Sequence, residues 1–266
     1  MIFHYNTKNK MKQSYSILLF LLLAWSLAGT PFTAVTHVGP LSVTALNCLV
    51  TDGISTGSFP KIGFRIYQNS HSPAGVDPLA SQVIANAAAA GYYVASNVEL
   101  CRGINATNQI NSLSSVISQM AAIDTTGFGK GTRVWLKVEP SVNPDCDWVG
   151  YSHTDNCNFL IEAINAVGSL PSTTIGVFST ANIWQAFFGS ACDSIGTLGP
   201  LLWYANYGTD GHVTSTKTFD DFVPFGGWTV AGGKIYLKKI AGNHTIPTFC
   251  GNPALHAFVE LSWGPQ

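Results

Sequence analysis

The chain has 266 residues, 46% hydrophobic and only 10% charged. A disordered chain shows the reverse balance, so this one folds, and its length suits one α/β barrel or two smaller domains. Formal net charge is −1 and the 13 basic residues are thinly spread, which leaves no Lys/Arg cluster to track phosphates and makes nucleic acid an unexpected partner.

The first segment reads as an address. Lys8, Lys10 and Lys12 form a positive start, Ile17 to Trp25 is an unbroken apolar run, and Ala28 offers a small-residue cleavage position. The run is short for a bilayer span and has the layout of a secretory signal over residues 1–28. The mature form is then mildly acidic. Secretion gives the six cysteines a meaning: an even number in an oxidising compartment predicts disulfides. Asn105 and Asn243 each begin an Asn-x-Thr sequon and are candidate glycosylation sites.

Leu46 to Val50 is a short apolar run read as the first strand, ending at Asp52. Phe64 to Tyr67 is the second strand candidate. Asp77-Pro78 opens a helix with an acidic cap and a proline at its first position, and Gly91 closes it. Tyr92 to Val98 is the third strand. Ile110, Leu113, Val116, Ile117, Met120 and Ile123 recur at helical spacing. Arg133 to Glu139 is the fourth strand, Phe159 to Leu170 a helix, Thr174 to Phe178 the fifth strand, Ala181 to Phe188 a helix, and Leu201 to Asn206 the sixth strand. Thereafter helices fade, and Ile235 to Leu237 and Ala257 to Leu261 are strand candidates between Gly-rich loops. Strand–helix alternation argues for a parallel sheet. The expected fold class is α/β, an irregular TIM-like (β/α) barrel, in a single domain spanning residues 44–266.

In such barrels the reacting groups stand at the C-terminal ends of strands. Asp52 follows strand one, Glu99 lies near the end of strand three, and Glu139 ends strand four. Lys137 and Glu139 share a strand face because they are two residues apart. Glu139 at the end of an apolar strand suits a general acid; the competing reading is a strand-end ion pair with Lys137. Asp52 before Gly53 has a bland reading too, as a turn residue. Trp203, Tyr204 and Asn206 lie on or after strand six, where an aromatic ring and an amide suit a sugar and its acetamido group. At most one of Trp203 and Tyr204 points inward. Gly127 to Gly131 precedes a strand, so it is not a dinucleotide fingerprint, and no Gly-x-Ser-x-Gly elbow occurs. His153, Asp155 and Cys157 alternate, but a disulfide for Cys157 is favoured over a metal site.

Arg133-Val-Trp-Leu-Lys-Val-Glu139, Leu202-Trp-Tyr-Ala-Asn-Tyr-Gly208 and Phe219-Asp-Asp-Phe-Val-Pro-Phe-Gly-Gly-Trp228 follow one another in that order. The chain resembles the invertebrate and protist lysozymes of the glycoside hydrolase family 25 type, over roughly residues 46–261. Phe64-Arg-Ile-Tyr67 is similar to that family's second strand and Cys250-Gly251 to the start of its last segment. The resemblance implies an irregular β/α barrel that cleaves the β-1,4 glycan of bacterial peptidoglycan, with no metal and no other cofactor. It implies that Glu139 is the general acid of an Asp-x-Glu motif, that Asp52 stands for the strand-one Asp, and that Tyr67, Tyr204 and Asn206 bind substrate. Lys137 stands where the motif's Asp is expected.

That departure matters, because glycoside hydrolysis commonly needs two carboxyls. A lysine supplies neither function, and its charge opposes a neutral proton donor beside it. Two readings follow: a working or weakened muramidase, or a lysozyme-derived glycan-binding protein that has lost hydrolysis. A second carboxyl near Glu139 favours the first; an ion pair locking Glu139 to Lys137 favours the second. The protein is expected to act as a monomer, free of membrane after signal cleavage, outside the cell or in a lysosome or phagosome. For the disulfides, Cys48 is expected to pair with Cys250 and Cys146 with Cys157, which leaves Cys101 with Cys192.

Overall fold

The computed structural model describes residues 32–37, 41–51, 61–70, 72–123, 132–207, 213–214, 218–229, 235–245 and 258–264. The proposed signal over residues 1–28, Asp52 and Cys250 lie outside them. Strand β1 (Phe32–His37) leads into helix α1 (Val43–Thr51), then β2 (Lys61–Gln68), the short β3 (Gly75–Val76), α2 (Ala80–Ala89) and β4 (Tyr93–Glu99). Two helices follow, α3 (Ala106–Ser112) and α4 (Ser114–Ile123), then β5 (Thr132–Lys137), α5 (His153–Gly168), β6 (Thr173–Ser179), α6 (Ala181–Phe188) and β7 (Leu201–Ala205). The chain closes with β8 (Ile235–Thr245) and β9 (Phe258–Gly264).

The strands form one nine-stranded sheet in the order β1-β9-β8-β7-β6-β5-β4-β2-β3, and β1 also pairs with β2. The run from β2 through β4, β5, β6 and β7 to β8 is parallel. Strand β9 runs antiparallel to both β8 and β1. This is a mixed α/β fold on a single sheet, not the all-parallel sheet that alternation alone suggests.

The Leu46–Val50 run is helical, not a first strand. Ala45, Leu46 and Leu49 are buried, with Leu41 just before them, at the three-and-four spacing of a helix face. Ser42 Oγ accepts from the Ala45 N–H at 3.2 Å and caps the helix start. Asn86 Nδ2 and Tyr92 Oη donate to the Leu41 and Leu46 carbonyls at 2.8 and 2.6 Å, so α1 is tied to α2 and the strand beyond it. The strand that opens the sheet is β1, upstream of residue 44. The long helical pattern after residue 106 breaks at Leu113, and α5 begins earlier than expected because Ser152 Oγ accepts from the Asp155 N–H at 3.1 Å.

Two apolar layers result. The larger lies between the sheet and its helices and includes Phe64, Val98, Val134, Leu136, Val138, Val177 and Leu202. The smaller, on the opposite sheet face, holds Trp135, Phe178, Trp203 and Ala205. Trp203 meets Phe178 and Trp135 edge-on, at ring separations of 4.6 and 5.8 Å. Gly176 makes room for this layer, since a Cβ there would lie 2.1 Å from the Trp135 ring.

The disulfides run Cys101–Cys146 and Cys157–Cys192. This corrects the expected Cys146–Cys157 and Cys101–Cys192 pairs. The reason is spatial: Cys101 follows β4 and Cys146 follows the neighbouring β5, so their loops emerge side by side, while Cys157 sits in α5 facing the turn after α6. Cys48 is also disulfide-bonded.

Candidate active site

Strand alternation decides what stands at the C-terminal end of β5. Val134, Leu136 and Val138 enter the larger core, so Trp135, Lys137 and Glu139 share the opposite face. The Val138 N–H donates to the Phe178 carbonyl at 2.9 Å, which carries the ladder one residue beyond the strand and holds Glu139 at its tip. Lys137 Nζ lies 2.7 Å from Glu139 Oε2, with 30% of the Glu139 side chain exposed. The same ammonium stands 5.3 Å from the Phe178 ring centre.

On β4, Glu99 is the direct Cα partner of Lys137. On β2, Arg65 reaches both sides. Its Nε donates to Asp77 Oδ2 at 2.9 Å, its Nη2 donates to Gln68 Oε1 at 3.0 Å, and its Nη1 lies 3.6 Å from Glu99 Oε2. Asp77 is buried at 5% exposure and also accepts from the Leu79 N–H at 2.9 Å, where it shapes the entry to α2. Charges of alternating sign therefore cross the strand ends, from Asp77 through Arg65, Glu99 and Lys137 to Glu139.

Tyr204 and Asn206 are brought together, but around Asp221. Tyr204 Oη donates to Asp221 Oδ1 at 3.0 Å, Asn206 Nδ2 to Oδ2 at 3.2 Å, and Thr214 Oγ1 to Oδ2 at 2.9 Å. Burial first, and then the Asp221 charge, push the Tyr204 phenol far above its ordinary value, so it stays a protonated donor. Trp203 takes the inner face and Tyr204 packs in the larger core at 2% exposure. Asn206 lines a depression with Thr180, Asn182, Tyr207, Asp221 and Phe225. Tyr67 is likewise 2% exposed and in the larger core, where burial raises its phenol. Neither tyrosine offers an open ring face.

The segment after Phe219 is an aromatic clasp. Phe222 packs on Tyr204 at 5.0 Å, Trp228 on Trp184 at 5.2 Å, and Trp228 Nε1 donates to the Pro200 carbonyl at 2.9 Å. Gly226 has φ +58°, and a Cβ there would meet the Trp184 and Trp228 rings within 2.8 Å, so the motif needs its glycine.

Asn105 is the cap of α3: its Oδ1 accepts from Asn108 N–H and its Nδ2 donates to Glu162 Oε1, both at 2.9 Å. Asn243 lies in β8. Among the described residues, no group of three or more His, Cys, Asp or Glu could hold a metal ion, and no helix is long and apolar enough to cross a membrane. The sequence marks Glu99 as a strand-end acid and Asp77 as a helix cap, without a part in this site for either, and holds Arg65 and Asp221 only inside longer motifs. The Asp-Asp pair inside the Phe219–Trp228 motif was a usable signal for Asp221; nothing in spacing marks Arg65 and Asp77 as partners.

The sequence matches the family model of lysozyme-like protein 1 over residues 30–236. The chain belongs to that family. Two curated relatives of this lysozyme-like protein come from Dictyostelium discoideum. It is 29% identical to "Probable GH family 25 lysozyme 4" over 223 residues, 83% of this chain and 90% of the relative. It is 31% identical to "Probable GH family 25 lysozyme 5" over 110 residues, which is 41% of this chain and only 43% of that relative. Among solved structures, the muramidase from Acremonium alcalophilum superposes with a TM-score of 0.58 at 11% identity, covering 87% of this chain and 92% of that one. The family GH25 lysozyme from Aspergillus fumigatus gives 0.56 at 14% identity, covering 88% and 94%. At such identities the two structures speak for a shared fold.

Proposed function

We propose that this lysozyme-like protein is a secreted muramidase that hydrolyses the β-1,4 glycan of bacterial peptidoglycan, with Glu139 as the proton donor. The observation that carries the reading is the placement of Glu139: a part-exposed carboxyl at the C-terminal tip of β5, on the face of the sheet away from the helices. Family membership and the Dictyostelium lysozymes support the reaction class. The pairing of β1 with both β2 and β9 supports reading the sheet as an irregular (β/α) barrel, with Glu139 at its mouth. Disulfides support a secretory route, as do the two sequons, with Asn105 on the surface.

The chemistry proceeds through the chain's own groups. Protonated Glu139 gives its proton to the glycosidic oxygen as the C–O bond breaks, and a second carboxyl supports the developing positive charge or activates water. Lys137 works against the first step, since its ammonium holds the carboxyl that must reach the glycosidic oxygen. In this reading the substrate draws Lys137 aside. Asn206 contacts the sugar from the depression it lines; Asp52, read as the acid ending a first strand, follows helix α1 instead. The proposed reaction uses no cofactor and a single copy of the chain.

The 2.7 Å ion pair between Lys137 and Glu139 favours a second reading, a glycan-binding protein with impaired hydrolysis. One experiment separates the two. The purified mature protein is incubated with bacterial cell walls from acidic to neutral pH, and both release of reducing ends and co-sedimentation with the walls are measured. The muramidase reading expects both. Co-sedimentation without release leaves the binding reading, and neither result sinks both.

A further inference from the structure

We propose that Glu99 is the second carboxylate of this site, taking over on β4 the function that Lys137 cannot supply on β5. The inference rests on the muramidase reading. Glu99 ends its strand directly beside Lys137, and Glu139 stands two residues further along the same face of β5. With strands about 4.8 Å apart and a rise of about 3.3 Å per residue, the Glu99 and Glu139 backbones lie about 8 Å apart on the diagonal. From backbones at that spacing, side chains of this length can set their carboxyls roughly 6.5–9.5 Å apart, the separation that leaves room for a sugar carbon and an attacking water.

The setting of Glu99 fits work on a substrate better than work in the fold. Its side chain is 19% exposed and its two contacts are long: Arg65 Nη1 at 3.6 Å and the Asn69 N–H at 3.5 Å, both on Oε2. Arg65 makes its short bonds elsewhere, to Asp77 and Gln68, so the guanidinium is fixed from behind and offers Glu99 a charge rather than a clamp. That leaves Glu99 free to accept a proton while Glu139 gives one, the division of labour that two carboxyls need. The Cys101–Cys146 bond ties the loop that follows Glu99 to the loop that follows Glu139, which holds the two acids in register.

Glu139 transfers its proton to the glycosidic oxygen, and the bond from that oxygen to the anomeric carbon breaks. Water attacks the anomeric carbon and gives its proton to Glu99. One water is consumed, two hydroxyl-bearing sugars leave, and the proton on Glu99 passes through solvent to restore Glu139.

The test is made on the full mature protein with purified peptidoglycan. Glu99→Gln is expected to lose activity by on the order of 10²-fold or more while still co-sedimenting with the walls. Glu99→Ala with added azide or formate is expected to recover part of the rate, and azide to yield a glycosyl azide, because a small anion can stand in for a missing carboxylate and not for a missing fold contact. Glu99→Asp, with thermal unfolding recorded for each variant, covers the case in which the other two fold poorly. Wild-type release of reducing ends that persists in folded Glu99→Gln overturns the assignment and leaves the muramidase reading intact. A loss that no anion rescues in a folded Glu99→Ala also overturns it. A wild type that binds walls and releases nothing overturns the muramidase reading and this inference with it.

Discussion

Lys137 and Glu139 share one face of β5 and meet in an ion pair of 2.7 Å, at the position where lysozymes of this type are expected to carry two acids. The pair sits over the Phe178 ring and beside Glu99, so the lysine is held on three sides. Replacing it tests what it does. Lys137→Met removes the charge and keeps much of the bulk; with a charge-assisted bond worth about 1.5 kcal/mol, freeing Glu139 should raise the rate by about tenfold. Lys137→Asp should raise it at least as far. Reducing-end release at matched folding is the readout, and a fall in both variants would show that Lys137 helps the reaction.

The Cys101–Cys146 bond closes a loop of sequence separation 45. Chain-entropy reasoning assigns such a bond about 4 kcal/mol. The double substitution Cys101→Ser with Cys146→Ser should therefore lower the denaturation midpoint markedly. It should also lower activity in the protein that remains folded, because the bond joins the loops behind Glu99 and Glu139. Urea unfolding and wall hydrolysis on the same preparation check both.

Gly176 lies where a side chain would enter the Trp135 ring, with the first atom at 2.1 Å. Gly176→Ala should cost about 1–3 kcal/mol by overpacking. Calorimetry or urea unfolding measures it, and an unchanged midpoint would mean that the Trp135, Phe178 and Trp203 layer yields easily.

Burial and the Asp221 carboxylate both raise the Tyr204 phenol. A proton held more firmly in the folded state than in the unfolded one means stability that is fully present below the ordinary tyrosine value and falls as pH rises above about 10. Tyr204→Phe should flatten that alkaline loss. At neutral pH it should cost about 1–3 kcal/mol, because Asp221 loses a donor. Unfolding curves from neutral to strongly alkaline pH give both effects.

The strands from β4 to β7 and helix α6 were legible within a residue or two, because each is a β-branched or aromatic run, or a capped amphipathic stretch, that also folds locally. The position of Glu139 just past the end of β5 was legible for the same reason, since it follows the clearest strand. The Leu46–Val50 run was not, because a short apolar run fits strand and helix equally and only Ser42 and the packing of α1 on α2 decide it. Tyr67 and Tyr204 are substrate contacts in the sequence reading, yet each points into the layer beneath the helices; alternation tells that neighbours face opposite ways, not which faces the site. Disulfide pairing depended on which loops emerge side by side, a property of the sheet order. The Arg65–Asp77 pair joins residues with no common period.

In the proposed reaction every step waits on the proton that Glu139 gives. Glu139→Gln keeps the size and removes the exchangeable proton, so wall hydrolysis should fall on the order of 10²–10⁴-fold at every pH, with folding and wall binding intact. Wild-type rates surviving in a folded Glu139→Gln protein would contradict the account.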